Sequence, residues 1–518
     1  MNSAVKDRNG SPVRFIKPET ELILTSLSDF IAKSDIQAYL VGGMVRDWLL
    51  KRETADIDIA VKADALEIAS RVADMMGGRY VPLDKVNRVG RVVLPDRETA
   101  PAGGPWQIDF STIEGNIGAD LARRDFAMDA MAIDLRHIIN PPDTFLKEMP
   151  TRSPEIIDPF NGWDDLRHGV VRVVAESIFA DDAVRLLRAV RLAAELGFSL
   201  DERTEALIKR DHHLVTGVAG ERVREELLRL LALPQARSIL GSLDELGLLT
   251  AIIPELAEVK SVAQPKEHFW DVFQHSLETV AAVDFLLRKG SWGYTSDEIL
   301  ATVPWSPQLS RHFDLEVNHG STRGMLIRLA ALLHDIAKPQ TKSIEASGRM
   351  RFLGHAGEGA AMVVDILERL RFSTRETKLV ELMVKHHLRP GQLSRDGLPT
   401  HRVIYRYFRD TGDTGIDTIF LNLADFLAAR GPTLDVAQWQ EHARVVAYVL
   451  AQRFQEKNRV ILPKLVGGHD LINILGMSPG PGMGEALEAV REAQAVGEVT
   501  TREAALAYIR EYLLRKAV

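Results

Sequence analysis

The chain has 518 residues, 46% of them hydrophobic and 26% charged, with a formal net charge of -8 and no cysteine. Without cysteine there are no disulfides, thiolate metal sites or cysteine nucleophiles, so any metal must rest on His, Asp or Glu. The acidic balance argues against a basic nucleic-acid coat but leaves room for local arginine clusters that bind phosphate.

No run approaches the roughly eighteen consecutive apolar residues of a membrane span, and the N-terminus MNSAVKDRNGSPVRF lacks the apolar core of a signal peptide. A cytoplasmic protein of about three or four domains, with no membrane partner, is expected. Residues 1–21 carry Gly10, Pro12 and Pro18 without clear periodicity and read as a loose arm. An α/β head over 22–138 opens with the helical pattern ELILTSLSDFIA, from Glu21 to Ala32.

Next comes YLVGGMVRDWLLKRETADIDIA, from Tyr39 to Ala60. It reads as an apolar strand, a Gly42-Gly43 turn, a helix start bearing Arg46 and Asp47, and a strand alternating Asp56, Ile57, Asp58, Ile59. A strand repeats every two residues, so Asp56 and Asp58 share a face. Paired carboxylates of this kind suit a hard divalent cation such as Mg2+. The glycines let backbone N–H groups approach a triphosphate, and the following helix N-terminus adds positive potential. The combination points to metal-assisted phosphoryl or nucleotidyl transfer. Each part alone has a plainer reading, a turn for Gly-Gly and a solvated strand face for D-x-D.

A helix over Ala63 to Met76 ends at Gly77-Gly78, and short strands follow around Tyr80–Leu83, Gly90–Leu94 and Trp106–Ser111, with a Pro/Gly-rich loop between the last two. The head sheet is expected to be small and mixed or antiparallel. If the last strand neighbours the Asp56 strand, Asp109 completes a three-acid cluster able to hold two Mg2+ ions. Further on, Arg123, Arg124 and Asp125 lie in ADLARRDFAMDAMAIDL. Adjacent guanidiniums there oppose phosphate or ribose oxygens, or form a surface ion-pair set with Asp120 and Asp125.

These residues carry a family resemblance. Gly42-Gly43-Met44-Val45-Arg46-Asp47, Asp56-Ile57-Asp58 and Arg123-Arg124-Asp125-Phe126 resemble the head of the class II tRNA nucleotidyltransferases (CCA-adding enzymes) and the related bacterial poly(A) polymerases. IIDPFNGWDDLRHGVVRVV, from Ile156 to Val174, is similar to the family's head-to-neck hinge, with Asn161 in place of a usual glycine. The resemblance implies an α+β protein: a nucleotidyltransferase head followed by an all-helical neck over 139–250, an HD domain over 251–450 and a helical tail over 451–518. Its implied partners are tRNA, CTP and ATP.

In DDAVRLLRAVRLAAELGF, from Asp181 to Phe198, Asp182, Arg185 and Arg188 recur every three residues on one expected helix, closed by Gly197. Cytosine and adenine present an amino donor beside a ring-nitrogen acceptor, whereas guanine and uracil present the reverse. An Asp acceptor beside an Arg donor therefore admits C and A and repels G and U. In the family the matching Asp and Arg template the incoming base. The plainer reading is a surface ion pair, which contributes only a few tenths of a kcal/mol. GERVREELLRLL, from Gly220 to Leu231, resembles the last family motif, with Arg222 as a brace.

In the second half, His275, His334-Asp335 and Asp425 come in the order of an HD phosphohydrolase-like metal site. His355 and His386, the latter in the pair His386-His387, lie between them as second-metal ligands do in some relatives. Imidazoles with carboxylates suit Mn2+, Ni2+, Fe2+ or Zn2+ better than Mg2+. The tail carries Gly468-His469-Asp470-Leu471 and Pro479-Gly480-Pro481, which resemble the elbow-gripping tail of many CCA-adding enzymes.

The expected reaction is addition of C and A to the tRNA 3′ end, with Asp56, Asp58 and Asp109 as the catalytic carboxylates. Gly42, Gly43, Arg46, Arg123, Arg124, Asp125, Asp182, Arg185 and Arg188 are the expected nucleotide-binding set. Three departures stand out: Asp129 where the family usually has Asn, Ala183 where Pro is common, and a short segment between Asp109 and Asp120. The last keeps CC-only or A-only addition open. The other readings are a poly(A) polymerase, an HD phosphohydrolase acting on nucleotides or cyclic phosphates with a head that only binds RNA, and a non-catalytic RNA-binding protein.

Overall fold

The computed structural model describes residues 18–516 apart from 53, 55, 96–104, 137–155, 394–396 and 458–463. Most of the expected N-terminal arm, most of the loop before Trp106 and the expected 138/139 boundary lie outside the described residues. The chain forms two compact units, Met1–Gly217 and Val218–Val518.

The first unit is built on a seven-stranded sheet of β1 (Ala38–Val41), β2 (Asp56–Val61), β3 (Arg79–Asp84), β4 (Val89–Val93), β5 (Gln107–Thr112), β6 (Ala132–Asp134) and β7 (Ile156–Ile157). Their order is β3-β4-β5-β2-β1-β6-β7. β2 and β5 run parallel and the other neighbours antiparallel, which makes the mixed sheet that the sequence predicts. A parallel pair needs a crossover, and the helix Ala65–Met76 with the β3–β4 hairpin supplies it. That helix starts two residues later than its apolar pattern suggests, because the Asp64 side chain caps the N–H groups of Leu66 and Glu67. It stops at Gly77, whose φ of 67° is the left-handed cap. Its buried face, Ile68, Ala69, Val72 and Ala73, covers β4 and β5.

On β2 the alternation holds. Ile57 and Ile59 are each 1% exposed, while Asp56 is exposed and Asp58 half-buried on the other face. Each buried isoleucine stabilises the sheet by about 1.5–3 kcal/mol, so a one-residue slip that would bury the acids instead is strongly disfavoured.

One expected helix is broken. The run from Asp181 to Phe198 forms two helices, Ile178–Asp181 and Arg185–Leu196, with Asp182 between them in extended backbone at φ -155°, ψ 102°. The Asp182 carboxylate accepts the Val184 N–H at 3.3 Å, a local bond that competes with helical hydrogen bonding. Asp182 and Arg185 are therefore not successive members of one helical face. The neck also contains a short parallel ribbon, Val170–Val171 with Ser199–Leu200, within its helical frame.

In the second unit the helices Val272–Leu286, Arg323–Leu333 and Gly415–Arg430 pack on one another and are buried almost all round, as core helices are. The helix Thr374–His386 packs against the last two of these. Two small hairpins, Glu316–Asn318 with Ser321–Thr322 and Lys342–Ile344 with Met350–Phe352, decorate this otherwise helical unit. The helix Val436–Lys457 runs through the expected 450/451 boundary.

The tail has its own apolar cluster, including Leu471, Ala486, Val490, Ala505 and Ile509. It meets the helix His401–Thr411 through ion pairs: Arg402 with Glu492 (3.0 Å) and Glu498 (2.6 Å), Arg406 with Glu492 (2.7 Å) and Arg409 with Glu488 (3.4 Å). No helix among the described residues is long and apolar enough to cross a membrane.

Candidate active sites

In the first unit, the turn after β1, the acidic face of β2 and the segment around Arg124 converge. Gly42 has φ 71°, and a Cβ built on it would lie 2.7 Å from an Arg124 guanidinium nitrogen and 2.9 Å from Asp58 Oδ2. Only glycine fits there, in both conformation and space. Gly42, Asp58 and Arg124 are thus neighbours although they come from three distant stretches of sequence. Arg124 also lies 3.5 Å from Asp120, and the more exposed Arg123 pairs with the same carboxylate at 2.5 Å. Burial pushes the Asp58 carboxyl up to about 6, with Asp109 and Asp56 adding to the shift and Arg124 opposing it. Crowded oxygen donors of this kind fit a hard divalent cation.

Four expected residues have ion-pair or hydrogen-bond partners of their own. β5 does neighbour β2, and Asp109 stands opposite Asp58 in the register. However, β4 places Arg91 opposite Asp109, and the Arg91 guanidinium donates to both Asp109 oxygens at 2.7 Å. Asp109 therefore stands beside Asp58 with Arg91 as its bidentate ion-pair partner. Arg46 is turned inward: it donates to both Asp47 oxygens at 2.9 and 3.0 Å and to Asp129 at 2.8 Å. Burial opposes its charge, but Asp129 and Asp47 outweigh that and hold its pKa above the usual arginine range. It lies beside Gly43, so it braces the turn from beneath. Arg188 pairs with Asp125 at 2.6 Å and reaches Asp129 at 3.8 Å. Arg185 donates to the backbone oxygens of Ile178 and Arg123 at 3.4 and 3.3 Å. Arg91 was not singled out by sequence; the signal was the strand register opposite Asp109.

In the second unit, His275, His334 and Asp425 form one close set of ligand atoms, and His334, Asp335 and His387 another. His275 Nε2 is 3.2 Å from His334 Nε2, 3.1 Å from Asp425 Oδ1 and 3.4 Å from Asp335 Oδ2. On the other side of Asp335, His355 Nε2 is 3.4 Å from Oδ1 and 3.4 Å from His387 Nε2. The central carboxylate of Asp335 therefore faces imidazoles on both of its oxygens.

The second-site histidine is His387 rather than the expected His386. Adjacent helical residues point about 100° apart, and here His387 is 1% exposed while His386 is half-buried beside it. His334, His355 and His387 each donate Nδ1–H to a backbone carbonyl, of Ala331, Phe352 and Val384, at 2.9, 2.6 and 2.7 Å. That bond fixes the tautomer and leaves each Nε2 lone pair facing the cluster, the arrangement in which a histidine ligates metal. Burial holds His387 down at about 4, so its imidazole is neutral at physiological pH, the form that metal ligation requires. Burial also lowers His275, whereas Asp335 and Asp425 outweigh burial at His334 and raise it. Two further residues were not foreseen: Lys338, 2.6 Å from Asp335, and His268, whose ring packs edge-on against His275 at 5.3 Å.

Comparison with known proteins agrees with this architecture. Residues 38–172 match the family described as poly A polymerase head domain, 197–260 the probable RNA and SrmB-binding site of polymerase A, and 308–430 the HD domain. The chain is 32% identical to the A-adding tRNA nucleotidyltransferase of Deinococcus radiodurans over 92% of its own length and 95% of that protein's. It is 32% identical to the CC-adding tRNA nucleotidyltransferase of Thermus thermophilus over 93% and 95%. In fold it resembles the Thermotoga maritima CCA-adding enzyme complexed with tRNA, with a TM-score of 0.56 at 22% identity over 96% of each chain. It also resembles a CCA-adding enzyme in complex with CTP, with a TM-score of 0.61 at 22% identity over 96% of each chain. Head, RNA-binding and HD segments in this order, with a relative 32% identical over 92% of the chain, make the chain a member of the tRNA nucleotidyltransferase family, an enzyme that transfers nucleotidyl groups.

Proposed function

We propose that the chain adds C and A nucleotides, from CTP and ATP, to the 3′ end of tRNA. The observation that carries this reading is the convergence of Gly42, Asp58 and Arg124 at one spot: a backbone seat open to a triphosphate, an acidic ligand and a cation for phosphate oxygens. Asp56 and Asp58 would hold Mg2+, which stabilises charge on the attacking and leaving oxygens when bound. Gly42 lets the backbone approach the triphosphate, Arg124 faces its oxygens, and Asp182 with Arg185 would read the amino and ring-nitrogen positions of the base. The RNA 3′ oxygen forms a bond to the α-phosphorus, its proton leaves to solvent, and the bond to the pyrophosphate oxygen breaks.

Relatives named A-adding and CC-adding match this chain equally well in identity, so the nucleotide it adds is decided by experiment. The test is incubation with tRNA transcripts ending before CCA and after CC, each with single labelled nucleotides, read at nucleotide resolution. Incorporation of neither C nor A would overturn the reading.

A second activity is supported by the two ligand sets that share His334. We infer a metal-dependent phosphohydrolase centre holding first-row transition ions, with His275, His334, Asp335 and Asp425 as the first ligand set and His355 and His387 completing the second. Metal content of the purified protein and hydrolysis of bis(p-nitrophenyl) phosphate test it; a metal-free, inactive protein after reconstitution with Mn2+, Ni2+ and Fe2+ would overturn it.

A further inference from the structure

Asp129 belongs to no part of the site described so far as a ligand, yet it joins two of its parts. It closes the 3-10 turn Ala127–Asp129, and its side chain is 3% exposed. Through Oδ1 it accepts from Arg46 at 2.8 Å, and Arg46 in turn lies beside Gly43 under the turn that seats the triphosphate. Its second oxygen faces Arg188 at 3.8 Å, on the helix Arg185–Leu196 whose first residue is the expected base-reading arginine. Arg188 is held on its other side by Asp125 at 2.6 Å, so its guanidinium is directed toward the head rather than toward the base. A second tie runs in parallel: Arg52, just beyond the helix Gly43–Leu49, donates to the Glu195 carbonyl at 3.3 Å, and Arg191 grips the Glu195 carboxylate at 2.7 Å.

We propose that Asp129 is a positioning residue for nucleotide choice, a buried carboxylate shared by Arg46 and Arg188 that sets the distance between the triphosphate seat and the base-reading edge. The inference rests on the nucleotidyl-transfer reading of the head. The physical reason is that a base is recognised only if its edge arrives at Asp182 and Arg185 while its phosphates occupy the Gly42 turn. A misplacement of about 1 Å in such a geometry costs on the order of a hundredfold in rate. A carboxylate between two guanidiniums suits this task because Arg46 cannot leave without stranding the Asp129 charge in a buried place, and that fixed charge then attracts Arg188 from the other side. Arg188 then acts through Asp129, and the base-facing role stays with Asp182 and Arg185.

The test uses the full chain, one tRNA substrate and all four nucleotides. Addition of C or A by the unaltered enzyme tests the underlying reading separately. Asp129→Asn keeps an oxygen for the Arg46 N–H and removes the charge that reaches Arg188. We expect its ratio of kcat/KM for CTP and ATP over UTP and GTP to fall about tenfold, with the inhibition constant for tripolyphosphate within about twofold of the parent. Arg188→Ala should lower the ratio to the same extent, and the double variant should be no worse than either single one, because both remove one link. The proposal is overturned if the ratio in Asp129→Asn is unchanged, if the losses of the single variants multiply, or if tripolyphosphate binding weakens in step with nucleotide use, which is what general damage would do. Should Asp129→Asn fail to fold, Arg188→Ala decides alone. Its side chain is 37% exposed and its removal leaves no deep cavity, so an unchanged ratio there overturns the proposal and a lowered one sustains it.

Discussion

Arg91 and Asp109 face each other across β4 and β5, joined by two hydrogen bonds of 2.7 Å. We propose that Asp109, held on both oxygens by Arg91, supports the acidic face of β2 as a neighbouring charge. Asp109→Asn should therefore keep nucleotide addition within about tenfold of the parent, the scale of one charge-assisted bond at a half-exposed site. Steady-state rates on a tRNA lacking its terminus check this. A loss as deep as that of an Asp58 variant would restore Asp109 to the catalytic ligands.

Asp58→Ala removes the carboxylate at which Gly42 and Arg124 meet. Charge stabilisation of this kind contributes several kcal/mol to a phosphoryl-transfer barrier, so addition should fall by more than about a thousandfold. Folding and tRNA binding should persist, since the group lies on the polar face of β2. Near-parental incorporation would sink the assignment of the head.

Gly42→Ala should be almost as damaging by another route. The φ of 71° strains any residue with a Cβ by about 1–3 kcal/mol, and the methyl would press on Asp58 and Arg124. We expect a lower melting temperature together with at least a hundredfold lower kcat/KM for CTP, of the order a misplacement near 1 Å produces. A variant with parental kinetics would show that the triphosphate does not sit on this turn.

His387→Ala and His386→Ala should separate cleanly. The former takes away an Nε2 aimed at the cluster and should lower bound transition metal, measured by elemental analysis after dialysis, by about one equivalent. The latter should leave metal content unchanged. Neither should alter nucleotide addition, because each centre is built from side chains of one unit; joint loss of both activities in a folded variant would contradict that division.

Asp182→Ala should weaken discrimination of CTP and ATP against UTP and GTP by roughly ten- to a hundredfold, the worth of one polar contact to a base edge of about 1–3 kcal/mol. The same change also removes the acceptor for the Val184 N–H. Asp182→Asn keeps an acceptor but not the charge, so it separates the repulsion of U and G from backbone support: discrimination equal to the parent's in both Asn and Ala variants would assign Asp182 to the turn alone.

How far the sequence could be read depended on the range of the forces involved. The alternation of Asp56, Ile57, Asp58 and Ile59 predicts a two-faced strand because side-chain direction is local, and β2 has those faces. The helix ending at Gly77 was equally legible, since its stop is written in one residue. The bond between Arg91 and Asp109 was not, because it depends on which residues two strands place opposite each other. His386 and His387 are adjacent and chemically identical; only the packing of the helix Thr374–His386 on its neighbours selects the second. The inward turn of Arg46 follows from Asp129, eighty-three residues away in sequence, and the break at Asp182 from a single hydrogen bond that overrides a good helical pattern.

The tail is joined to the helix His401–Thr411 largely by arginine–glutamate pairs while keeping an apolar cluster of its own. The pairs depend on charge and centre on Glu492, which is buried, whereas the cluster depends on burial of apolar surface. What folds the tail and what seats it are thus separate: losing Arg402, Arg406 and Arg409 would strip charge from the seat, where Tyr405 also donates to Glu488, and leave the apolar cluster that folds the tail intact.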